Sequence, residues 1–208
     1  MTDHPILFSA PMVRALLDGR KTQTRRILKP QPYPLEGMPG YWNASGAVGG
    51  RIVTSAEDLA RLHRFAKGDR LWVRETLKRD DGSWIYAADG LGVGLPQDDP
   101  RIPHMVAWAH HKEGDTCVSI HMPRWASRLT LTVTDVRVQR LQAITPADCI
   151  AEGAFRPTAT PMTVDCETRD PRDDFAALWR SINGRDSWDA NPWVTATTFT
   201  VERRNIDA

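Results

Sequence analysis

The chain has 208 residues, 41% of them hydrophobic and 25% charged, with a net charge of +1. A chain of this length buries roughly 70% of the surface its unfolded form exposes, so it can stand without disulfide or metal staples. The near balance of charge excludes a polycation that coats nucleic acid and leaves any such contact to a local patch.

In chain order, "ILF" (6–8) predicts a short strand. "SAPMVRALLDG" predicts a helix, with Ser9 as cap, Pro11 tolerated in the first turn, Val13, Leu16 and Leu17 on one face, and Gly19 as its left-handed stop. Residues 21–28 read as extended. Residues 29–54 are rich in Pro and Gly and carry little periodicity. "SAEDLARLHRF" (55–65) predicts a helix that opens on a Ser55–Asp58 capping box. "KGDRLWVRET" (67–76) reads as a turn and a strand, and "WIYAA" (84–88) as a strand. Residues 89–115 read mostly as loop, and 117–123 as a short strand.

"SRLTLTVTDVRVQRL" is the clearest β segment. Leu129, Leu131 and Val133 alternate on odd positions, Val136 and Val138 on even ones. The change of parity at Thr134–Asp135 predicts a bulge within one strand or a turn between two. "TPADCIAEG" (145–153) predicts a short helix with cap Thr145, first residue Pro146, a capping-box Asp148 and stop Gly153. Residues 154–172 read as loop. "DDFAALWRSING" (173–184) predicts a helix with Phe175, Leu178, Trp179 and Ile182 inside. "PWVTATTFTVERR" (192–204) predicts a closing strand. The pattern is α+β, with a mostly antiparallel sheet or small barrel and short flanking helices. It reads as one domain over 1–208, with two long loop insertions at about 29–66 and 89–115.

Three cysteines, Cys117, Cys149 and Cys166, form no CxxC pair. That argues against a disulfide framework or zinc ribbon and predicts a reducing, cytoplasmic setting. There is no charged-then-apolar leader and no apolar run of membrane-spanning length, so no membrane role is expected. His104, His110, His111, Cys117 and His121 match no standard zinc spacing, so no metal and no other cofactor is expected. Nothing marks an oligomeric interface.

"GRKTQTRR" (19–26) places four basic residues and two threonines in eight positions. It reads either as a solvated edge strand, where cations discourage pairing, or as an anion or oxyanion site. Alternation puts Arg26 on the Thr24 face and Lys21 on the opposite one, unless the backbone after Gly19 is irregular. A lysine among cations has its ammonium form disfavoured and can then act as a neutral base on a hydroxyl. Glu152 stands just before a helix stop, where the helix dipole disfavours an anion by about 0.3–1 kcal/mol. It is either a solvated surface residue or a charge kept for a site. Trp72 with Arg74, and Arg124 with Trp125, can stack on a base and neutralise a phosphate, or serve as core aromatics beside surface charges. In "WDANPW" (188–193), Trp193 and the base-reading amide of Asn191 suggest recognition, and Asn-Pro equally suggests a turn.

"GRKTQTRR" resembles the Gly-x-Lys-x-x-Glu-x-Arg signature of the ASCH domains. Gly19, Lys21 and Arg26 match, and Thr24 stands where that signature has glutamate. The small bacterial ASCH proteins that hydrolyse N4-acetylcytidine also have threonine there. They carry a catalytic glutamate seven residues after the threonine that opens a short helix; from Thr145 that spacing lands on Glu152. "ILFSAPMVRALLDGRKTQTRR", "GDRLWVRET", "SIHMPRWASRLTL" and "SWDANPWV" are similar to longer phage and prophage ASCH proteins, over most of the chain outside 29–66 and 89–115. The resemblance implies a PUA-like β-barrel in a bacterial or phage-encoded protein. It implies an amidohydrolase that removes an acyl group from the exocyclic amine of a modified cytosine, as nucleoside or within nucleic acid. Lys21, Thr24 and Glu152 would be catalytic, by an acyl-Thr24 intermediate or by direct attack of water. Arg26, Trp72, Arg74, Glu75, His121, Trp125, Asn191 and Trp193 would bind substrate. The alternatives are an RNA-, DNA- or modified-base-binding module without catalysis, and a ribonuclease using the same groove.

Overall fold

The computed structural model describes residues 1–39, 41–44, 52–61, 64–94, 100, 116–154 and 170–208. In chain order the elements are β1 (Asp3–Leu7), α1 (Ala10–Leu17), β2 (Gln23–Ile27), β3 (Tyr33–Pro34), β4 (Trp42–Asn43), β5 (Ile52–Val53) and α2 (Ala56–Arg61). There follow β6 (Arg70–Arg74), β7 (Leu77–Asp80), β8 (Ser83–Tyr86), β9 (Thr116–Cys117), β10 (Thr130–Arg140), α3 (Pro146–Ala151), α4 (Pro171–Asn183) and β11 (Trp193–Glu202). The α+β class holds: several sheets and few helices among the described residues. No helix among them is long and apolar enough to cross a membrane.

The chain divides into two compact units, each discontinuous in sequence. One takes residues 1–19, 68–132 and 200–208, the other 20–67 and 133–199.

In the first unit β6 is flanked by β1, which runs parallel to it, and by the start of β10, which runs antiparallel. The parallel pair is an exception to the antiparallel expectation. The connection between the two strands, residues 8–69, begins with α1, which buries Val13, Ala15 and Leu16. Ser9 occupies the cap position of α1, but its side chain makes no capping bond. Strand β7 centres a second sheet, between β8 and β9. The β7–β8 hairpin turns at Asp81 and Gly82, whose φ values of 44° and 82° are those of a type I′ turn.

In the second unit β11 pairs antiparallel with β2, from Val194↔Ile27 to Thr198↔Gln23. Strands β3, β4 and β5 form a small sheet inside the span expected to be a loop insertion. Strands of two residues are too short to show alternation. Ser55 caps α2, accepting from the Asp58 N–H at 3.1 Å. β10 is one strand through Thr134 and Asp135, both exposed, so the change of parity lies within a strand rather than at a turn. α4 starts two residues earlier than the apolar pattern suggested, at Pro171, because Asp170 caps it through the Arg172 N–H at 2.9 Å. Phe175 and Trp179 of α4 join Cys149 of α3 and Val194 of β11 in one core cluster. Ile182, expected inside, is 64% exposed.

Much of the 89–115 span, with His104, His110 and His111, lies outside the described residues, as does Cys166.

Candidate active site

The site is built where the segment before β2 meets the end of α3. Helix α3 opens on the expected capping box: Thr145 Oγ1 accepts from Asp148 N at 3.1 Å, and Asp148 Oδ2 accepts from Thr145 N at 3.4 Å. It closes at Gly153, whose φ of 73° a side-chain-bearing residue adopts at a cost. A helix end leaves its last carbonyls without intrahelical donors. Here three consecutive residues supply them. Thr22 N donates to Ala151 O at 2.8 Å, Lys21 Nζ to Glu152 O at 2.9 Å, and Arg20 Nη1 to Gly153 O at 3.3 Å. Two of these donors are cationic side chains, at the end of the helix whose dipole favours positive charge.

Glu152 is 4% exposed, so it is not a solvated surface residue. Its Oε2 accepts from Lys21 Nζ at 3.1 Å and its Oε1 from Arg25 Nη1 at 3.0 Å. These two cations offset the unfavourable position of a carboxylate at a helix C-terminus. Lys21 is 2% exposed, and its third partner is Gln23 O at 2.9 Å. Its three protons therefore have three acceptors, which describes an ammonium. Burial nevertheless pulls Lys21 below its ordinary value; Glu152 opposes the shift, and Arg26 and Arg25 reinforce it. Arg25 donates from Nη2 to Asp148 Oδ2 at 2.9 Å and from Nη1 to Gln23 Oε1 as well. Its Nε is buried and has no partner among the described residues. Arg137 Nη2 reaches the other oxygen of Asp148 at 3.2 Å.

Because β2 begins at Gln23, Lys21 is free of the strand's alternation. Within β2, Gln23 and Arg25 share one face, Thr24 and Arg26 the other. Thr24 is 7% exposed and pairs in register with Thr197 of β11, as Arg26 does with Thr195. Among the described residues the Thr24 hydroxyl hydrogen-bonds to neither Lys21 nor Glu152. Arg26 lies within electrostatic reach of both Lys21 and Glu152. The structure thus joins Lys21 to Glu152, brings Arg26 near them, and adds Arg25 and Asp148. The sequence pattern had placed Arg25 in the basic cluster around Lys21 but gave it no contact with Glu152, and it read Asp148 only as a helix cap. Their signal was the spacing of Asp148 and Glu152, four apart on one short helix.

Asn191 and Trp193 belong to the same unit. Asn191 takes a positive φ of 42°, and its Oδ1 accepts from Gln142 N at 2.9 Å, so its amide oxygen holds a turn. Trp193 is half-buried, with Trp42 edge-on at 5.5 Å and the Arg140 guanidinium 4.7 Å from its ring centre.

Trp72, Arg74, Glu75, His121 and Trp125 belong to the first unit. Trp72 is buried under the Arg74 guanidinium, 5.0 Å from its ring centre, and Arg74 Nε donates to Met122 O at 3.1 Å. Glu75 is 1% exposed, and both its oxygens accept from Arg128, at 2.8 and 3.0 Å. Burial raises the Glu75 carboxyl, with Arg128 opposing. Arg128 also lies 3.8 Å from the Tyr86 ring centre. Trp125 packs on the Leu77–Trp84 cluster, and His121 is exposed.

Among the described residues no three His, Cys, Asp or Glu side chains gather as metal ligands. Comparison with protein-family models, curated proteins and solved structures finds no match to this chain.

Proposed function

We propose that the chain is an ASCH-type amidohydrolase with a PUA-like barrel, and that it removes an acyl group from the exocyclic amine of a modified cytosine. The observation that carries this reading is the meeting of Lys21 and Glu152. The two residues were singled out separately, Lys21 by its cationic neighbours and Glu152 by its place before a helix stop, and both by motif similarity. They are 131 positions apart and hydrogen-bonded at 3.1 Å, with both side chains buried.

Burial favours the neutral amine of Lys21 over its ammonium form. The neutral amine takes the Thr24 proton while Oγ1 attacks the acyl carbon. Arg26 stabilises the oxyanion. The C–N bond then breaks, and the leaving cytosine amine takes the proton that Lys21 received, relayed through Glu152. Neutral Lys21 then takes a proton from the attacking water and returns it to Thr24 Oγ1 as the ester breaks. A resting structure need not hold the Lys21–Thr24 hydrogen bond, because such contacts often tighten only with substrate present.

Direct attack by water is a second reading, favoured by the missing Thr24–Lys21 bond. In it Glu152 takes the water proton and passes it to the amine.

The test is a panel of N4-acylated cytosine bases, nucleosides and oligonucleotides, incubated with the protein and read by mass. Loss of the acyl mass from at least one of them, with no nucleic acid added, is expected. No turnover on any of them, together with salt-sensitive binding to RNA or DNA, replaces the enzyme with a binding module. Cleavage of the oligonucleotide backbone replaces it with a ribonuclease.

A further inference from the structure

We infer that Arg25 is a positioning residue for the Glu152 carboxylate, with Asp148 as its anchor; the catalytic part of this rests on the reading just given.

The Arg25 side chain is wholly buried, and its two terminal nitrogens go to different carboxylates. Nη1 meets Glu152 Oε1 at 3.0 Å and Nη2 meets Asp148 Oδ2 at 2.9 Å. Asp148 and Glu152 are one helical turn apart, so the planar guanidinium spans the face between them. Asp148 is itself fixed, by the Thr145 backbone N–H and by Arg137. Among the described residues the Glu152 carboxylate is held only by Lys21 and Arg25. With Oε1 held by Arg25, Oε2 is left facing Lys21. Without Arg25 the carboxylate can turn about its last torsion, and the Lys21 contact becomes one arrangement among several.

A lysine cannot replace this residue. Its ammonium is a single point charge on a flexible stem and cannot hold two carboxylates in a fixed fork. Arg25 also acts on Lys21 through space. Among the described residues, the charged groups acting on Lys21 include Glu152 at the end of α3 and Arg25 and Arg26 of β2. Asp148, and Arg137 of β10 beyond it, act through Arg25. Cys149 also lies within electrostatic reach of Arg25. Removing Arg25 takes a cation away from Lys21, which favours the ammonium.

The experiment uses the full chain with ε-13C-lysine, and Arg25→Gln, Arg25→Lys and Asp148→Asn variants whose folding is checked by thermal melting. In Arg25→Gln the Lys21 titration is expected to move up by about one unit, and kcat on N4-acetylcytidine to fall about 100-fold with KM little changed. In Arg25→Lys the cation remains, so the Lys21 titration stays closer to wild type. There kcat still falls, and a crystal structure shows Glu152 Oε2 turned away from Lys21 Nζ. Asp148→Asn is expected to lower kcat less than Arg25→Gln does. An unmoved Lys21 titration in a folded Arg25→Gln protein overturns the inference, as does an undisturbed Glu152–Lys21 contact in Arg25→Lys. If the wild-type protein turns over no acylated cytosine, the amidohydrolase reading falls. The titration and the crystal structure then decide the role of Arg25 by themselves, and the structure decides it if Arg25→Gln does not fold.

Discussion

Lys21 Nζ and Glu152 Oε2 are joined across 131 residues of sequence, and Glu152 is also the partner of Arg25. The two ends of the pair are therefore not equivalent. Removing Lys21 leaves Glu152 with Arg25, whereas removing the Glu152 charge takes from Lys21 the carboxylate it hydrogen-bonds. Breaking a buried pair from one side costs about 3–5 kcal/mol. Lys21→Met is expected at the low end of that range and Glu152→Gln above it, by urea unfolding at neutral pH. The reverse order would show that Arg25 does not support Glu152.

The pH dependence of stability follows from the lowered Lys21 value. The unfolded chain titrates this lysine near its ordinary 10.5, and the folded chain titrates it below that. Between the two values the unfolded state binds more protons, so raising the pH through this window stabilises the fold. Wild-type stability measured against Lys21→Met is expected to increase with pH there. Any acyl-cytosine turnover is expected to rise with pH through the same lowered value. A stability difference that falls with pH means that the folded lysine titrates above 10.5. A flat rate profile removes Lys21 as the base.

Helix α3 was legible in the sequence because its signals are local: Thr145, Pro146, Asp148 and Gly153 all act within one turn of their own positions. The β7–β8 hairpin was missed although Asp81–Gly82 marks its turn, since only Leu77 is buried in β7 and the strand shows no alternation. Ile182 continued the apolar spacing of α4, but only Phe175, Ala176 and Trp179 of that helix are buried. Arg25 could not be assigned from its neighbours. Its position in β2 says which face it takes, and the partner on that face, Glu152, is 127 residues away.

Glu75 carries an expectation opposite to substrate binding. Both its oxygens are taken by Arg128 in a buried setting, so its removal strands a guanidinium that, among the described residues, retains Asp89 alone as a carboxylate partner. Glu75→Gln is expected to cost about 1–3 kcal/mol of stability, because a neutral amide cannot replace the carboxylate that accepts both buried Arg128 hydrogen bonds. The KM for an acylated cytosine is expected to stay unchanged. A stable variant with a raised KM would return Glu75 to the substrate site.

Chelators are expected to leave turnover intact, because the chemistry proposed here runs on Lys21, Thr24 and Glu152 and uses no metal-bound water. Activity lost with EDTA and restored by a stoichiometric divalent ion would show that residues elsewhere in the chain hold a required metal.

The role of Thr24 separates three mechanisms. Thr24→Ala removes one hydroxyl from a buried position opposite Thr197 and leaves the Lys21–Glu152 pair untouched. If Oγ1 is the nucleophile, kcat falls by orders of magnitude while substrate affinity changes little, and Thr24→Ser keeps part of the activity. Lys21→Ala is then nearly as damaging, and the two effects do not add, because the residues act as one unit. If water attacks directly, Thr24→Ala keeps turnover within about tenfold and only Glu152→Gln abolishes it. In a recognition groove Thr24→Ala costs about 0.5–1.5 kcal/mol of binding, one neutral hydrogen bond, and Arg26 and Lys21 dominate the affinity. Single-turnover kinetics on N4-acetylcytidine, with mass detection of an acyl group on the protein, distinguishes these outcomes. The expected result is an acyl adduct on wild type and on Thr24→Ser, and none on Thr24→Ala. Unchanged turnover in Thr24→Ala would remove the nucleophile assignment and leave the water route.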